Sequence, residues 1–271
     1  MPIFIDNSSA KRVPVYGING VQVGEVVLPP IFRAPIRRDL ILRAFLAEFT
    51  ASLQPKGRDP MAGKRTSARS LGVGYGLARV PRVRGTTRAA FVNFAVGGMV
   101  AHPPRVEERI RENINRRERL LATISAISST TDPNLVKRRG HRFSAEILPI
   151  VLHDEVEQNV RSAKEARALM EALGVYEDIE RSKDRTRIKA GRGKMRGRKY
   201  VEPKSLLFVL SSRLSPLARS VRNFPGVDVE TAATLSVLSL APGGIPGRLA
   251  IYTISSLDAL QKRFEELLVV K

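Results

Sequence analysis

Arginine and lysine side chains recur along a segment that contains no acidic residue. Residues 63–85, GKRTSARSLGVGYGLARVPRVRG, mix basic residues with small or β-branched ones, and the acid-free stretch runs from Pro60 to Val106. Its basic residues are Lys64, Arg65, Arg69, Arg79, Arg82, Arg84, Arg88 and Arg105. A guanidinium group can donate two hydrogen bonds to one phosphate. A segment with uncompensated positive charge also attracts a polyanion. The segment is therefore predicted to bind phosphates.

Five glycines lie within the same segment, at positions 63, 72, 74, 76 and 85. Each raises the entropic cost of ordering the backbone, and the apolar residues between them are few and scattered. The segment therefore cannot build a core of its own. We expect it to be disordered alone or ordered by a partner.

A second basic segment, RTRIKAGRGKMRGRKY at residues 185–200, carries eight lysines or arginines in sixteen positions and no acid. A solvated surface loop is the simplest interpretation, but solubility alone hardly explains charge at this density. The whole chain of 271 residues has 46 Lys and Arg against 26 Asp and Glu, a formal net charge of +20. Because there is no amphipathic helix with a wholly basic polar face and no lipidation signal, nucleic acid is favoured over an anionic membrane.

Two glycine patterns resemble nucleotide-binding motifs but depart from them. GRDPMAGK, residues 57–64, has five residues between its glycines where a P-loop has four, and Arg65 replaces the Mg²⁺-binding hydroxyl. Gly72-Val-Gly74-Tyr-Gly76 lacks the strand–turn–helix context of a dinucleotide site. We expect no nucleotide cofactor.

The three histidines do not form a recognisable metal or acid–base site. His102, His141 and His153 are far apart, the chain has no cysteine, and no acidic partner stands at ligand spacing. His153-Asp154 follows the first predicted parallel strand, where α/β enzymes often place their sites. An RNA-modifying or RNA-processing enzyme therefore remains the alternative to a binding protein.

Targeting signals are not evident. The start, MPIFIDNSSAKR, lacks a basic region followed by an apolar one, and no apolar run approaches the length of a membrane span. We expect a soluble, intracellular protein that does not enter a membrane.

The N-terminal half contains elements that could position the first basic segment. Asn19-Gly20 between two Val- and Ile-rich runs predicts a β-hairpin. Asp39 is expected to cap a helix over residues 38–53 that is buried on most sides. Periodicity then stops for about fifty residues, which indicates a functional or disordered loop. Pro103-Pro104 predicts the start of a second helix, Arg105–Ile127, with an apolar stripe from Val106 to Ile124.

The C-terminal half alternates short apolar runs with amphipathic segments. The runs are ILPIVL (147–152), SLLFVLS (205–211), VDV (227–229) and RLAIYT (248–253). Between them lies a helical segment that Gly174 is expected to end, and SSLDALQKRFEELL (255–268) follows, with Ser255 and Asp258 at capping-box spacing. Continuously apolar strands alternating with helices predict a mainly parallel sheet covered on both faces. We predict an α/β fold, a three-layer sandwich, plus a long irregular basic loop.

Several long motifs resemble one known family. They are GKRTSARSLGVGYGLARVPRVRG (63–85), VGGMVAHPPRVEERI (96–110), the Asn115 to Ile127 stretch, Arg139-Gly140-His141, AGRGKMRGRKY (190–200) and GGIPGRL (243–249). By these motifs the chain is similar to the fourth protein of the large ribosomal subunit in its archaeal and eukaryotic branch, and the resemblance extends over nearly the whole chain. The tip of the long loop lacks the aromatic residues and extra arginines of some relatives, so the tip contacts stay open.

The resemblance implies a single globular α/β domain, residues 1–271, with an rRNA-penetrating loop at 55–104 and a second basic loop at 185–203. It implies a structural, non-catalytic constituent of the large ribosomal subunit that binds the 5′ region of the large rRNA, contacts neighbouring ribosomal proteins and supports assembly. The long loop would help form the constriction of the exit tunnel, where its tip meets the nascent polypeptide. Neither a cofactor nor a metal is implied.

Carried over residue by residue, the resemblance assigns two sets of site residues. The rRNA-binding side chains would be Lys56, Arg58, Lys64, Arg65, Arg69, Arg79, Arg82, Arg84, Arg88, Arg105, Arg139, His141, Arg187, Lys189, Arg192, Lys194, Arg196, Arg198 and Lys199. The glycines that would let the backbone approach crowded rRNA, where a Cβ would clash, are Gly63, Gly72, Gly74, Gly76, Gly85, Gly97 and Gly98.

Overall fold

The computed structural model describes residues 3–5, 11–265 and 268–270. They cluster into two compact units. The first, here called the α/β unit, comprises the described residues within Met1–Phe49 and Asn113–Lys271, and the second, here called the loop unit, comprises Thr50–Glu112.

The described strands are β1 (Ile3–Ile5), β2 (Arg12–Tyr16), β3 (Gln22–Val27), β4 (Ile150–Leu152), β5 (Arg187–Ile188), β6 (Tyr200–Val201), β7 (Leu207–Leu210), β8 (Asp228–Thr231), β9 (Ala250–Thr253) and β10 (Leu268–Val270). The described α-helices are α1 (Arg38–Ala51), α2 (Arg116–Ser128), α3 (Pro133–Arg139), α4 (Asp154–Asn159), α5 (Ala163–Ala172), α6 (Tyr176–Asp184), α7 (Pro216–Val221), α8 (Val237–Leu240) and α9 (Ile254–Phe264).

Six strands form the central sheet, in the order β3-β2-β4-β9-β7-β8. Neighbours pair in parallel except at one edge, where β2 and β3 form an antiparallel hairpin. β1 pairs with β10 and β5 pairs with β6 in separate two-stranded sheets. Strands β7 and β9 are buried along their whole length, as a parallel sheet covered on both faces requires.

Alternate residues of the central strands enter two different cores. Val209 and Tyr252 belong to a core shared with α1, α2, α8 and α9. Phe208 and Ile251 belong to a second core shared with α5, α6 and α7. Because successive side chains of a strand point to opposite faces, helices cover both faces of the sheet. The predicted three-layer α/β sandwich is confirmed.

Most of the predicted strands and turns are also confirmed. Gly20 adopts φ +72° in the β2–β3 turn, and each of the four apolar runs contributes one strand, β4, β7, β8 or β9. Gly174, with φ +67°, follows the end of α5 as expected. The segment before it forms two helices, α4 and α5, because the chain leaves the helical conformation at Val160, where φ is −78° and ψ is 106°.

The prediction for the cap of the last helix is wrong. Thr253, not Ser255, precedes α9 and forms a capping box with Ser256. The backbone N–H and the hydroxyl of Ser255 instead donate to Asp154, at 3.0 and 2.8 Å. Helix α9 ends at Phe264, and Leu268, expected to be the last helical residue, lies in β10. Residues 266 and 267 of the expected helix lie outside the described residues.

Helix α1 is less buried than predicted. Ile41, Ala44 and Ala47 are buried, but Leu42 and Phe49 on the other side are exposed. Asp39 lies inside the first turn and binds the Arg37 guanidinium, with its closest contact at 2.5 Å. The apolar residues therefore form one buried face and one open face, and Asp39 does not occupy the capping position.

The second helix begins eleven residues later than the predicted Arg105. α2 starts at Arg116 after the extended residue Asn115, and residues 105–115 contain no helix. Val106, expected on the apolar stripe, is exposed. A short helix is stabilised mainly by packing its apolar face, and without that packing the charged residues before Asn115 stay irregular.

Candidate nucleic-acid interface

The loop unit is held by turns and isolated backbone pairs. After the end of α1 at Ala51, its described residues contain no helix and no extended strand. Arg69 and Arg82 exchange two backbone hydrogen bonds of 3.0 and 2.9 Å, and the Val83 N–H bonds the Arg88 carbonyl at 3.0 Å. These pairs close the stretch between Arg69 and Arg82 into a hairpin-like excursion.

Most of the predicted phosphate-binding side chains in the loop unit are exposed. Those of Lys64 and Arg82 are half-buried, and the exposed ones are Lys56, Arg58, Arg65, Arg69, Arg79, Arg84, Arg88 and Arg105. The unit therefore presents a dense set of guanidinium and ammonium groups to solvent, as phosphate binding requires.

Three of these arginines also hold the loop unit together. The Arg65 guanidinium forms an ion pair with Asp59, and hydrogen bonds from Arg65 hold the pKa of that carboxyl below its usual range. Arg82 donates to the Thr87 carbonyl, and Arg88 donates to the Val96 carbonyl at 3.2 Å. These internal bonds were not predicted, because Asp59 stands just outside the acid-free stretch and backbone acceptors have no sequence signature.

The glycines of the loop unit fall into two groups. Gly72, Gly74, Gly76 and Gly85 have φ between +64° and +90°, with open space where a Cβ would stand. Gly97, at φ +74°, would place a Cβ 3.1 Å from the Arg88 guanidinium. These five therefore provide backbone conformations that side chains rarely adopt.

At Gly63 and Gly98, packing within the loop unit also requires the absence of a Cβ. A Cβ on Gly63 would lie 2.5 Å from the Gly98 carbonyl oxygen, and one on Gly98 would lie 1.9 Å from the Val92 carbonyl oxygen. Both glycines are therefore needed for the loop unit to pack against itself.

The second basic segment is a short hairpin. Ile188 of β5 pairs with Tyr200 of β6, and the Lys189 N–H bonds the Lys199 carbonyl at 2.9 Å. Lys189 is half-buried, and the exposed basic side chains are Arg187, Arg192, Lys194, Arg196, Arg198 and Lys199. The hairpin thus carries its charge on an open surface.

Two residues predicted to contact RNA, Arg139 and His141, also make contacts within the α/β unit, where Arg139 is half-buried and His141 is buried. Arg139 donates to the carbonyls of Ile245 and, at 2.7 Å, Pro242, and burial lowers its pKa to about 10. The His141 side chain is only 2% exposed, and its Nδ1 lies 2.9 Å from the Asp178 carboxylate. Burial lowers the pKa of His141 although Asp178 opposes the shift. Arg139 is the last residue of α3, and His141 directly follows Gly140, whose left-handed conformation ends the helix.

His153 and Asp154 serve the fold as well. The Nδ1 atom of His153 accepts from the Glu155 N–H at 3.4 Å at the start of α4, and the Asp154 carboxylate is used by Ser255. Both side chains thus take part in contacts at the start of α4 and α9. No group of His, Asp or Glu that could hold a metal ion occurs among the described residues. None of the helices within the described residues is long and apolar enough to cross a membrane.

A parallel α/β sandwich with two exposed, arginine-rich segments defines a protein of the polyanion-binding class. Residues 26–263 match the model of the Ribosomal protein L4/L1 family. The chain belongs to this family, as the resemblance of its motifs predicted.

Archaeal relatives support the assignment. The Large ribosomal subunit protein uL4 of Aeropyrum pernix is 63% identical over 255 residues, which cover 94% of each chain. The proteins of the same name from Sulfurisphaera tokodaii and Sulfolobus acidocaldarius are 53% and 51% identical, each over 94% of this chain and 96% of the relative. The family and the names of these relatives indicate a structural, non-enzymatic protein, and nothing in them favours the RNA-processing alternative.

Proposed function

We propose that this protein is a structural constituent of the large ribosomal subunit in the cytoplasm, where it binds large-subunit rRNA and contacts neighbouring ribosomal proteins. The observation that carries the proposal is the exposed basic surface of the loop unit, whose residues 60–106 contain no acid. Each side chain that neutralises a phosphate releases counterions, so binding strength falls steeply with salt. Recognition relies mainly on RNA shape and backbone, because only 6% of the residues are aromatic.

The loop of residues 55–104 and the hairpin within 185–203 are the two rRNA-binding extensions of a single α/β domain in this proposal. The exposed arginines of both segments bond phosphates in the 5′ region of the rRNA. Ordering a glycine-rich loop is costly, and binding to RNA offsets that cost. The protein thereby restrains the rRNA segments that it contacts and supports subunit assembly.

The tip of the long loop helps to form the wall of the nascent-peptide exit tunnel in this proposal. Residues 70–78, SLGVGYGLA, carry no charge, and the apolar side chains of Leu71, Val73, Tyr75 and Leu77 are exposed. Such a tip offers a passing polypeptide no ion pair. Arg69 and Arg79, at the two ends of the uncharged stretch, remain available for phosphates.

Co-sedimentation with large ribosomal subunits through a high-salt gradient tests the proposal. The intact chain is compared with a variant in which residues 60–100 are replaced by a short linker. We expect stoichiometric retention of the intact chain and weaker retention, or defective particles, for the variant. An intact chain that washes off and occurs only in substoichiometric amounts would overturn the proposal and favour an RNA-directed enzyme.

A further inference from the structure

A cavity of about 390 Å³ opens on the α/β unit between α1, α3 and the segment 242–247. Its apolar lining includes Leu42, Leu135, Ile245 and Pro246. Leu42 is 47% exposed and Ile245 is 59% exposed. The two side chains belong to a contiguous apolar lining that is open to solvent, which is a feature of binding sites.

Two glycines allow the segment 242–247 to pack closely against α1 and α3 beside the cavity. A Cβ on Gly244 would lie 2.6 Å from the Leu42 side chain, and one on Gly247 would lie 2.8 Å from the Leu135 backbone. Arg139 fixes the same segment by donating to the Ile245 and Pro242 carbonyls. These contacts fix the position of the segment 242–247, which forms one wall of the cavity.

The charged lining of the cavity consists only of arginines. Arg38, Arg138 and Arg139 line it, and no acidic residue does so among the described residues. The nearest acid in sequence, Asp39, is bound by Arg37. A ligand with an apolar body and a negative group would satisfy both parts of this lining.

RNA fits these features better than a protein segment does. The arginines offer only N–H donors, and a nucleotide supplies phosphate acceptors together with a flat ring that packs on aliphatic side chains. The volume lies in the range of about 300–1,000 Å³ that small-molecule sites occupy, which suits one nucleotide and excludes an RNA helix. Sequence-specific RNA recognition usually reads such unstacked bases.

We propose that this cavity binds one unstacked nucleotide of the large-subunit rRNA, with its base against Leu42, Leu135 and Ile245 and its phosphate against Arg38 and Arg138. The inference rests on the proposed function, because it assumes that rRNA is the partner. It adds a recognition site on the α/β unit that is separate from the two basic segments.

Photocrosslinking identifies the occupant. The full chain carries benzoylphenylalanine in place of Ile245, and a matched variant carries it in place of Leu238, which is also exposed but does not line the cavity. Each variant is irradiated within large subunits. We expect Ile245→benzoylphenylalanine to crosslink to a single rRNA nucleotide and the matched variant not to crosslink there. A crosslink to a ribosomal protein, to many scattered nucleotides or to nothing would overturn the inference.

A double-mutant cycle then tests the contact itself. An abasic substitution at the crosslinked nucleotide, in a transcript of the rRNA, should lower the affinity about tenfold. Leu42→Gln should lower the affinity for the intact transcript by a similar factor, but it should cause no further loss with the abasic transcript. Leu46→Gln, on the same helix, should change the affinity little. Thermal unfolding of both variants verifies that they fold. Independent, additive losses would overturn the inference.

The two proposals fail in different ways. If the unmodified chain does not bind the rRNA transcript, the proposed function fails and the cavity inference falls with it. If the unmodified chain binds but the cavity gives a negative result, only the cavity inference fails.

Discussion

The guanidinium of Arg248 lies 2.7 Å from the Asp228 carboxylate, and the Arg248 side chain is completely buried. It also donates to the carbonyls of Ser205 at 3.0 Å, Ser239 at 2.6 Å and Leu206 at 3.1 Å. A buried charge is tolerated only when it is paired and its hydrogen bonds are satisfied. One side chain therefore joins the beginnings of β7, β8 and β9 to helix α8.

Replacing Arg248 should destabilise the α/β unit strongly. Arg248→Met leaves several buried carbonyls without a donor, and each buried polar group left unsatisfied typically costs about 1–3 kcal/mol. Denaturant unfolding followed by circular dichroism measures the change. Arg213→Met, at an exposed position, is the matched control and should stay within about 0.5 kcal/mol of the parent chain. Equal stabilities of the two variants would contradict this account of Arg248.

The His141–Asp178 contact should make stability depend on pH. Burial lowers the pKa of His141 in the folded chain. Below the ordinary histidine pKa of about 6.5, His141 is therefore protonated to a greater extent in the unfolded chain than in the folded one. Burial opposes ionisation of Asp178, but hydrogen bonds from His141 and Arg181 still leave its pKa below the usual value. Both shifts reduce the free energy of unfolding as the pH falls, the first below about 6.5 and the second below about 4.

His141→Asn isolates the histidine part of this dependence. The variant should be less stable than the parent at about pH 7.5 because Asp178 loses a partner, but it should lose less stability on going to about pH 5.5. Denaturant midpoints at the two pH values give the comparison. His102→Asn, at an exposed position, should leave the pH dependence unchanged. A parent chain with the same stability at both pH values would rule out this role for His141.

The sheet could be predicted from sequence because its strands are buried on both faces. Runs such as LLFVL, residues 206–210, are apolar at every position, and that pattern depends on no distant partner. The start of α2 could not be predicted in the same way. Residues 105–115 have a helical spacing of apolar groups, but whether those groups are packed is decided by tertiary structure.

Composition located the basic segments but could not show which basic side chains are bonded within the fold. His141 and Asp178 are 37 positions apart, and Arg139 and Ile245 are 106 apart. No local pattern records such pairs. From the sequence, Arg248 was recognised only as part of the motif GGIPGRL. Its position directly before the apolar strand LAIYT could have indicated a buried guanidinium.

Gly98→Ala should weaken rRNA binding through the loop unit itself. The added methyl group would clash with the Val92 carbonyl, and such overpacking typically costs about 1–3 kcal/mol. Gly191→Ala is the control, because Gly191 lies in the other basic segment with open space at its Cβ position. Filter binding to an rRNA transcript compares the two. A larger loss of affinity for Gly191→Ala would contradict the internal function of Gly98.

Arg79→Gln and Arg82→Gln should differ in their response to salt. Arg79 is exposed, so its loss should remove one phosphate contact and reduce the slope of log affinity against log salt by about 0.9. Arg82 also binds the Thr87 carbonyl, so its loss should disturb the loop and lower the affinity at high salt as well. Titrations at several salt concentrations distinguish the two. Coinciding salt curves for the two variants would show that Arg82 has no internal function.

Amide exchange should reveal that the loop is ordered by RNA. In the loop unit, backbone order rests on a few pairs such as Arg69–Arg82, and glycines raise the cost of ordering it. In the RNA-free chain, residues 60–100 should exchange rapidly while β7 and β9 stay protected. Incorporation into the large subunit should slow exchange across residues 60–100. Full protection of this stretch in the RNA-free chain would contradict coupled ordering, since the loop would then hold its conformation without the partner.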